Sequence, residues 1–432
     1  MSNPDSAQIA DAITDILTEM VEDLELEFEG RPEPSHRLIA DLGLVSVDFI
    51  HLIVEIETRF GQKMGFHDLI MPDGRYVDDL SIAELTAFVE QRLSGGEVIH
   101  ATPETHAAVL DSSAALTDED FVRFQHLMPT TTEWGMPELP GRKNPRVVFL
   151  LSSPRSGSTL LRVVLAGNEA LFAPPELHLL YYPDMRRRRE ALGNPQNVHL
   201  LTGTVRALMQ LRGCGIEEAE VALQESEESG QTTSEFYAML VKELNGRLLV
   251  DKTPSYTMRR EFLDLAESHF DSALYIHLVR HPCGMMQSFE DGKMEQLIPF
   301  MRNSDFSRHQ LSELTWLLTN TNIYQFLQHI PDERQHRVHY EDLVREPATA
   351  VTEMCAFLGV PYVAEMLDPY RDPGERMTDG LHTAAQFSGD LKFHLHARIE
   401  PDAAERWRRT QSESNLSPAT RVLAEALGYS LA

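Results

Sequence analysis

Val147-Val148-Phe149-Leu150-Leu151-Ser152-Ser153-Pro154-Arg155-Ser156-Gly157-Ser158-Thr159-Leu160-Leu161 is the stretch on which the fold turns. Its first five residues form a strongly apolar run that predicts a buried strand. A turn of small residues follows, and then a helix beginning near Gly157. Successive backbone N–H groups in such a turn, together with a helix N-terminus, make a cradle for an anion. Arg155 adds a fixed positive charge, and Ser156, Ser158 and Thr159 add hydroxyl donors. Taken alone, the same residues also fit an incidental strand–turn–helix. No lysine follows Gly157, so this is not the G-x-x-x-x-G-K-[ST] loop, and a magnesium-nucleotide kinase is disfavoured.

Further along, short apolar, β-branched runs at Leu248–Val250, Leu274–Val279 and Val338–Tyr340 alternate with longer helical segments. That alternation predicts parallel strands joined by crossover helices, an α/β domain with a P-loop-like site. Leu278-Val279-Arg280-His281-Pro282, followed by Ser288-Phe289, reads as a second strand end carrying an arginine and a helix-borne serine. Such a pair at the carboxyl end of a strand suits a second phosphate, which makes the expected ligand one with phosphate at both ends.

The 432 residues carry 67 acidic and 38 basic side chains, and residues 1–100 alone hold 21 of the acids and 6 of the bases. This imbalance argues against nucleic acid and anionic membrane surfaces as partners, and its concentration at one end argues for two modules. Hydrophobic residues make up 42% and charged residues 24%, an ordinary soluble composition. Cys214, Cys283 and Cys355 form no C-x-x-C, which excludes a disulfide framework or zinc knuckle and suits a reducing cytosol. No basic segment followed by an apolar stretch opens the sequence, and no run approaches the roughly 18 apolar residues of a membrane span, so a soluble, cytoplasmic protein is expected.

The first hundred residues read as a small all-helical bundle. Ile9, Ile13, Ile16, Met20 and Leu24 recur at helical spacing; a second helix is expected from Ser46 to Phe60, and Ser81 with Glu84 forms a capping box for a last helix ending near Leu93. Ser94-Gly95-Gly96 breaks the bundle, and residues 97–144 read as a proline-containing linker with a short helix around 117–128. The expected domains are thus 1–96, the linker 97–144, and the α/β domain 145–432. Position alone makes Ser46 an N-cap. With its lead-in Asp41-Leu42-Gly43-Leu44-Val45 and the acids Asp48, Glu55 and Glu57 after it, the module resembles a four-helix acyl carrier protein or its peptidyl relative. The resemblance implies a 4'-phosphopantetheine arm on Ser46, installed by a phosphopantetheinyl transferase; Val45 stands where such carriers usually have Asp.

From about 145 to 410 the chain resembles the sulfotransferases that use 3'-phosphoadenosine 5'-phosphosulfate (PAPS), on the phosphate loop, the Arg280…Ser288 pair, Asp251-Lys252-Thr253-Pro254 and Tyr340-Glu341-Asp342-Leu343-Val344. The resemblance implies that Arg155, Ser156, Gly157, Ser158 and Thr159 bind the 5'-phosphosulfate. It also implies that Arg280 and Ser288 bind the 3'-phosphate, and that PAP is the product. Transfer of a sulfuryl group to a hydroxyl needs cations at the reacting oxygens and a base; Arg155 and Lys252 are candidates for the former, metal being dispensable. Lys252 otherwise reads as a surface lysine after a strand.

Pro174-Pro175-Glu176-Leu177-His178-Leu179-Leu180 resembles segments of protein-tyrosine sulfotransferases and of the sulfotransferase domains of polyketide synthases, which implies Glu176 as catalytic base, with His178 sharing the role or being structural. Between a diproline and an apolar run Glu176 is expected to be partly desolvated, with its pKa raised; the plain alternative is a glutamate at a helix N-terminus. In Gly389-Asp390-Leu391-Lys392-Phe393-His394-Leu395-His396-Ala397-Arg398-Ile399, alternation would put Lys392, His394 and His396 on one side, and no third ligand completes a metal site. The similar segment of the polyketide-type enzymes implies that His396, and less directly His394, orients or deprotonates the acceptor; a solvated loop histidine is the alternative. The run Arg186–Arg189 reads as a solvated helix face or a docking patch for an acidic carrier.

The polyketide-type resemblance implies a β-hydroxyacyl chain on a carrier as acceptor, with a biosynthetic synthase or separate thioesterase as partner. A free small-molecule or sugar hydroxyl, or a non-catalytic carrier joined to a nucleotide-binding scaffold, are the competing readings.

Overall fold

The computed structural model describes residues 6–23, 28, 30–42, 44, 52–53, 55–57, 59–60, 62, 64, 66, 69, 79–93, 116–128, 135–194, 197–302, 304–378, 381, 393 and 396–431. The chain divides into two compact units, Met1–Ala108 and Val109–Ala432.

In the first unit the expected helical spacing is realised in the helix Ser6–Asp23, whose Ile9, Ile13, Ile16 and Met20 are buried. The helix Ile82–Leu93 buries Ile82, Leu85 and Val89, and residues 52–53, 55–57 and 59–60 are helical between them. Leu17, Leu42, Leu52 and Ile56 share the same core; each buried side chain of this size stabilises the unit by about 1.5–3 kcal/mol. The Ser81–Glu84 capping box forms as expected: Ser81 Oγ accepts from the Glu84 amide at 3.2 Å and Glu84 Oε2 from the Ser81 amide at 2.8 Å. The carboxylate of Asp79 accepts from the amides of Ile39 and Ala40 and pins the connecting loop to the last helix. Ser46 and the Val45 before it lie outside the described residues.

The second unit is built on a five-stranded, all-parallel sheet of order β2-β3-β1-β4-β5. The strands are β1 (Val148–Leu151), β2 (Leu171–Phe172), β3 (Leu248–Asp251), β4 (Leu274–Val279) and β5 (Gln335–His339). Side chains alternate between two cores: Phe149 and Leu151 pack with Phe172 and Tyr275 on one face, Val148 and Leu150 with Ile276 and Leu278 on the other. The helices Ser158–Ala166 and Pro347–Leu358 cover the second face. Thr202–Arg212, Thr233–Glu243 and Arg260–His269 cover the first.

Two strands differ from the expectation. β2 is only two residues long and shows no periodicity to read. β5 begins at Gln335 rather than Val338, because the edge strand carries the half-exposed Gln335 and His336 and the exposed Arg337, and Tyr340 opens the helix Tyr340–Arg345 instead. The short helix expected in the linker lies at Asp118–Leu127, capped by Thr117 and Asp120, and its Phe124 is buried in a cluster with Phe289, Leu314 and Trp316. Among the described residues no helix is long and apolar enough to cross a membrane, and Cys214, Cys283 and Cys355 are unpaired thiols.

Candidate active site

Because all five strands are parallel, their carboxyl ends and the loops that follow them gather along one edge of the sheet, where α/β proteins bind ligands. The phosphate loop leaves β1 there. Arg155 (φ 63°) and Gly157 (φ 90°) both take left-handed backbone conformations, which turn successive amides inward. At Gly157 the requirement for glycine is double, since a Cβ would stand 2.4 Å from Cδ2 of Tyr340. The helix Ser158–Ala166 starts with no side chain capping its first amides. Ser158 and Thr159 lie buried in its first turn, and the buried Ser156 hydroxyl has no hydrogen-bond partner in the protein. Open amides and an orphaned hydroxyl fit a phosphate or sulfate oxygen.

Beneath the loop, Ser153 Oγ contacts Thr319 Oγ1 and accepts from Asn320 Nδ2 at 2.9 Å, while Asn320 Oδ1 meets His277 Nε2 at 3.1 Å. Burial pushes His277 down to about 3, so it is a neutral donor in this network.

The second expected anion locus adjoins the first instead of lying apart from it. Arg280, at the end of β4, donates to the Arg155 carbonyl at 3.0 Å and lies over the Tyr340 ring, 4.4 Å from its centroid. Arg155 Nε reaches Ser288 Oγ, on the helix Pro282–Asp291, at 3.3 Å. These groups line one cavity of about 100 Å³ with Tyr370, Phe393 and His396. Trp316 Nε1 holds the Arg280 carbonyl at 2.9 Å, and the His281 ring stacks on Trp407 at 4.3 Å, which fixes the loop on its other side. His396 also meets Glu400 Oε1 at 3.4 Å. Lys392 and His394 lie outside the described residues.

A separate cluster forms around Glu176. Lys252, directly after β3, is 1% exposed, and its Nζ donates to Glu176 Oε1 at 2.6 Å; His178 Nε2 lies 3.3 Å from Glu176 Oε2. One sequence expectation is corrected here, and the plain alternative for Glu176 is not realised. Glu176 sits in an irregular segment between β2 and the helix Met185–Leu192, not at a helix N-terminus. Its pKa is lowered, not raised: burial does favour the neutral acid, but Lys252, and after it His178, outweigh burial and hold the carboxyl well below its usual range.

The segment is fixed by residues that motif reading passed over. Tyr256 OH accepts from the amides of Leu179 (3.0 Å) and Leu180 (3.3 Å), and Thr253 Oγ1 accepts from that of Leu177 at 3.3 Å. The buried Asp251 carboxylate in turn accepts from Tyr237, Tyr256 and Thr253. Arg188 is fully buried and donates to the carbonyls of Leu177 (2.8 Å) and His178 (3.0 Å) and to Thr204 Oγ1 (3.1 Å). The run Arg186–Arg189 is therefore not one solvated face: its third member is a structural strut, and Arg186 is tied to the Glu227 and Glu228 carbonyls. Arg162, also fully buried, binds the carbonyls of Ala173, Arg376 and Met377 and so ties the phosphate-loop helix to the residue before the diproline. Among the described residues no group of acids, histidines or cysteines is placed to hold a metal ion.

Comparison with known proteins agrees with this fold. A family profile described as "Sulfotransferase family" matches residues 145–365. The sulfotransferase domain from the curacin biosynthetic pathway is 37% identical with a TM-score of 0.62, covering 67% of this chain and 100% of that domain. The sulfotransferase domain of the Synechococcus PCC 7002 olefin synthase is 38% identical with a TM-score of 0.62, covering 69% and 100%. The nodulation protein NoeE of Sinorhizobium fredii (strain NBRC 101917 / NGR234) is 25% identical over 303 residues, which is 66% of each chain, so this chain spans slightly under two thirds of that relative. The chain belongs to the sulfotransferase family.

Proposed function

We propose that the protein moves the sulfuryl group of PAPS to a hydroxyl of an acyl chain, a β-hydroxyacyl group in our reading, carried on the phosphopantetheine arm of a carrier. The observation that carries the donor half is the meeting of Arg155, Arg280 and Ser288 in one cavity beside the orphaned Ser156 hydroxyl. The acceptor half is supported by likeness to sulfotransferase domains of the curacin pathway and an olefin synthase. It is also supported by the acidic N-terminal helical unit, which suits a carrier with Ser46 as its attachment site.

PAPS supplies an activated sulfuryl group with PAP as leaving group. Arg155, Ser156 and the amides from Gly157 to Thr159 hold the 5'-phosphosulfate, and Arg280 with Ser288 holds the 3'-phosphate. Lys252 stabilises negative charge at the reacting oxygens. Glu176 accepts the acceptor's hydroxyl proton. An ionised Glu176 gripped by Lys252 is a weak base. As Lys252 turns toward the sulfuryl oxygens, Glu176 loses its strongest acidifying partner and its proton affinity rises. His396, which lines the same cavity, orients the acceptor in this reading.

The test loads the full-length protein with a β-hydroxyacyl phosphopantetheine arm, adds PAPS and measures intact mass. A gain of one sulfuryl unit, lost in Ser46→Ala, supports the reading. Sulfation of free hydroxyls with an untouched arm overturns its acceptor half.

A further inference from the structure

The Glu176 cluster continues inward through His178 to Tyr181. His178 is 4% exposed and holds a φ of 48°, a left-handed conformation that costs a non-glycine residue about 1–2 kcal/mol and persists only where surroundings impose it. That conformation aims Nε2 at Glu176 Oε2, 3.3 Å away and off the line of an ideal hydrogen bond, and aims Nδ1 into the protein. There Nδ1 meets the Tyr181 hydroxyl at 2.9 Å, with Ser255 Oγ farther off at 3.5 Å.

The Tyr181 ring has little freedom, being stacked on Phe262 (4.8 Å) and set edge-on to Tyr256 (5.5 Å). Its hydroxyl has one proton to give, and its neighbours include His178 Nδ1 at 2.9 Å and Ser255 Oγ at 3.4 Å. The shorter, stronger bond goes to the imidazole. Burial holds Tyr181 in its protonated form, so it remains a donor. A neutral imidazole that accepts at Nδ1 must carry its proton on Nε2. Glu176 Oε2, off the line of a hydrogen bond and so a weak hold on that proton by itself, is then met by an N–H and not by a lone pair.

We infer that Tyr181 is the positioning residue of this site: by donating its hydroxyl proton to His178 Nδ1 it fixes the Nε2–H tautomer, so that His178 and Lys252 present one N–H donor to each oxygen of Glu176. The kinetic consequence rests on the reading of Glu176 as base; the tautomer does not.

The test uses the full-length protein labelled with 15N-histidine. The His178 resonances, among 18 histidines, are identified by their loss in His178→Gln. The wild-type protein is expected to show Nε2 protonated and Nδ1 bare, and Ser255→Ala to keep that pattern. Tyr181→Phe is expected to move proton occupancy to Nδ1 and to lower kcat roughly ten- to hundredfold, the loss typical when the partner behind a reacting group is removed, with the KM for PAPS within about twofold. A wild-type His178 protonated on Nδ1, or a Tyr181→Phe protein whose tautomer is unchanged, overturns the inference. Should Tyr181→Phe fail to fold, the wild-type spectrum and Ser255→Ala still decide it. If Glu176→Gln keeps full activity, the base assignment falls while the tautomer result stands by itself.

Discussion

Gly203 gives the sharpest access to the placement of Glu176. It lies in the buried first turn of the helix Thr202–Arg212, where alanine would ordinarily be preferred by about 1 kcal/mol. A Cβ at Gly203 would stand 1.9 Å from the Glu176 carbonyl oxygen and 2.8 Å from its carbonyl carbon, whereas ordinary contact begins at 3.4 Å. The atoms that must yield are backbone, so the Glu176 peptide has to retreat by about 1.5 Å and cannot swing aside as a flexible side chain would. The hydrogen bonds that Arg188, Thr253 and Tyr256 make to residues 177–180 resist that retreat. Two effects follow for Gly203→Ala. Overpacking costs about 1–3 kcal/mol, which offsets or exceeds the gain in helix propensity and leaves a net loss of up to about 2 kcal/mol in urea unfolding. A misplacement of 1 Å or more at a reacting group costs about a hundredfold in rate, so kcat for sulfuryl transfer falls by that factor while PAP affinity, set by a different loop, is unchanged. A Gly203→Ala protein with wild-type kcat refutes the placement of Glu176 described above.

Gly157→Ala reverses that pattern, because its Cβ would meet the Tyr340 ring that carries Arg280; PAP binding measured by calorimetry weakens at least about tenfold, roughly 1.4 kcal/mol. Lys252→Met leaves the Glu176 carboxylate largely desolvated without its main partner and destabilises by about 2 kcal/mol at pH 7. With its pKa depressed in the native state, Glu176 contributes stability above the ordinary value of 4.5, and this is lost only as pH falls below it. The Lys252→Met deficit therefore shrinks in urea melts near pH 4, where the variant's carboxyl can take up a proton. Within the run Arg186–Arg189, Arg188→Met costs about 3 kcal/mol or more because three buried acceptors lose their donor, whereas exposed Arg187→Ala stays within about 0.5 kcal/mol. Parallel urea titrations separate the two.

The parallel α/β architecture was legible because Val148–Leu151 and Leu274–Val279 are wholly buried and, His277 apart, built of apolar and aromatic residues. β2 was not, since two residues show no period, and the start of β5 was masked by the polar side chains of an edge. The shape of the loop after β1 was legible because a tight turn into a helix is local backbone geometry, which Gly157 and its small neighbours record in sequence. The state of Glu176 was not. Its sign depends on Lys252, 76 residues away in sequence and 2.6 Å away in space, and a local reading saw only the flanking prolines and leucines. Arg188 misled for the same reason: four consecutive arginines read as a surface, and only the packing of Leu177 and His178 against the helix reveals which one turns inward.

Single-turnover transfer from radiolabelled PAPS, compared between the wild-type protein and Glu176→Gln at matched PAP affinity, separates a base at Glu176 from a bystander. With Glu176 as base, PAP binding is unchanged and the transfer rate falls by about 10²- to 10⁴-fold, the contribution of a positioned base. Transfer by Glu176→Gln at the wild-type rate would contradict it.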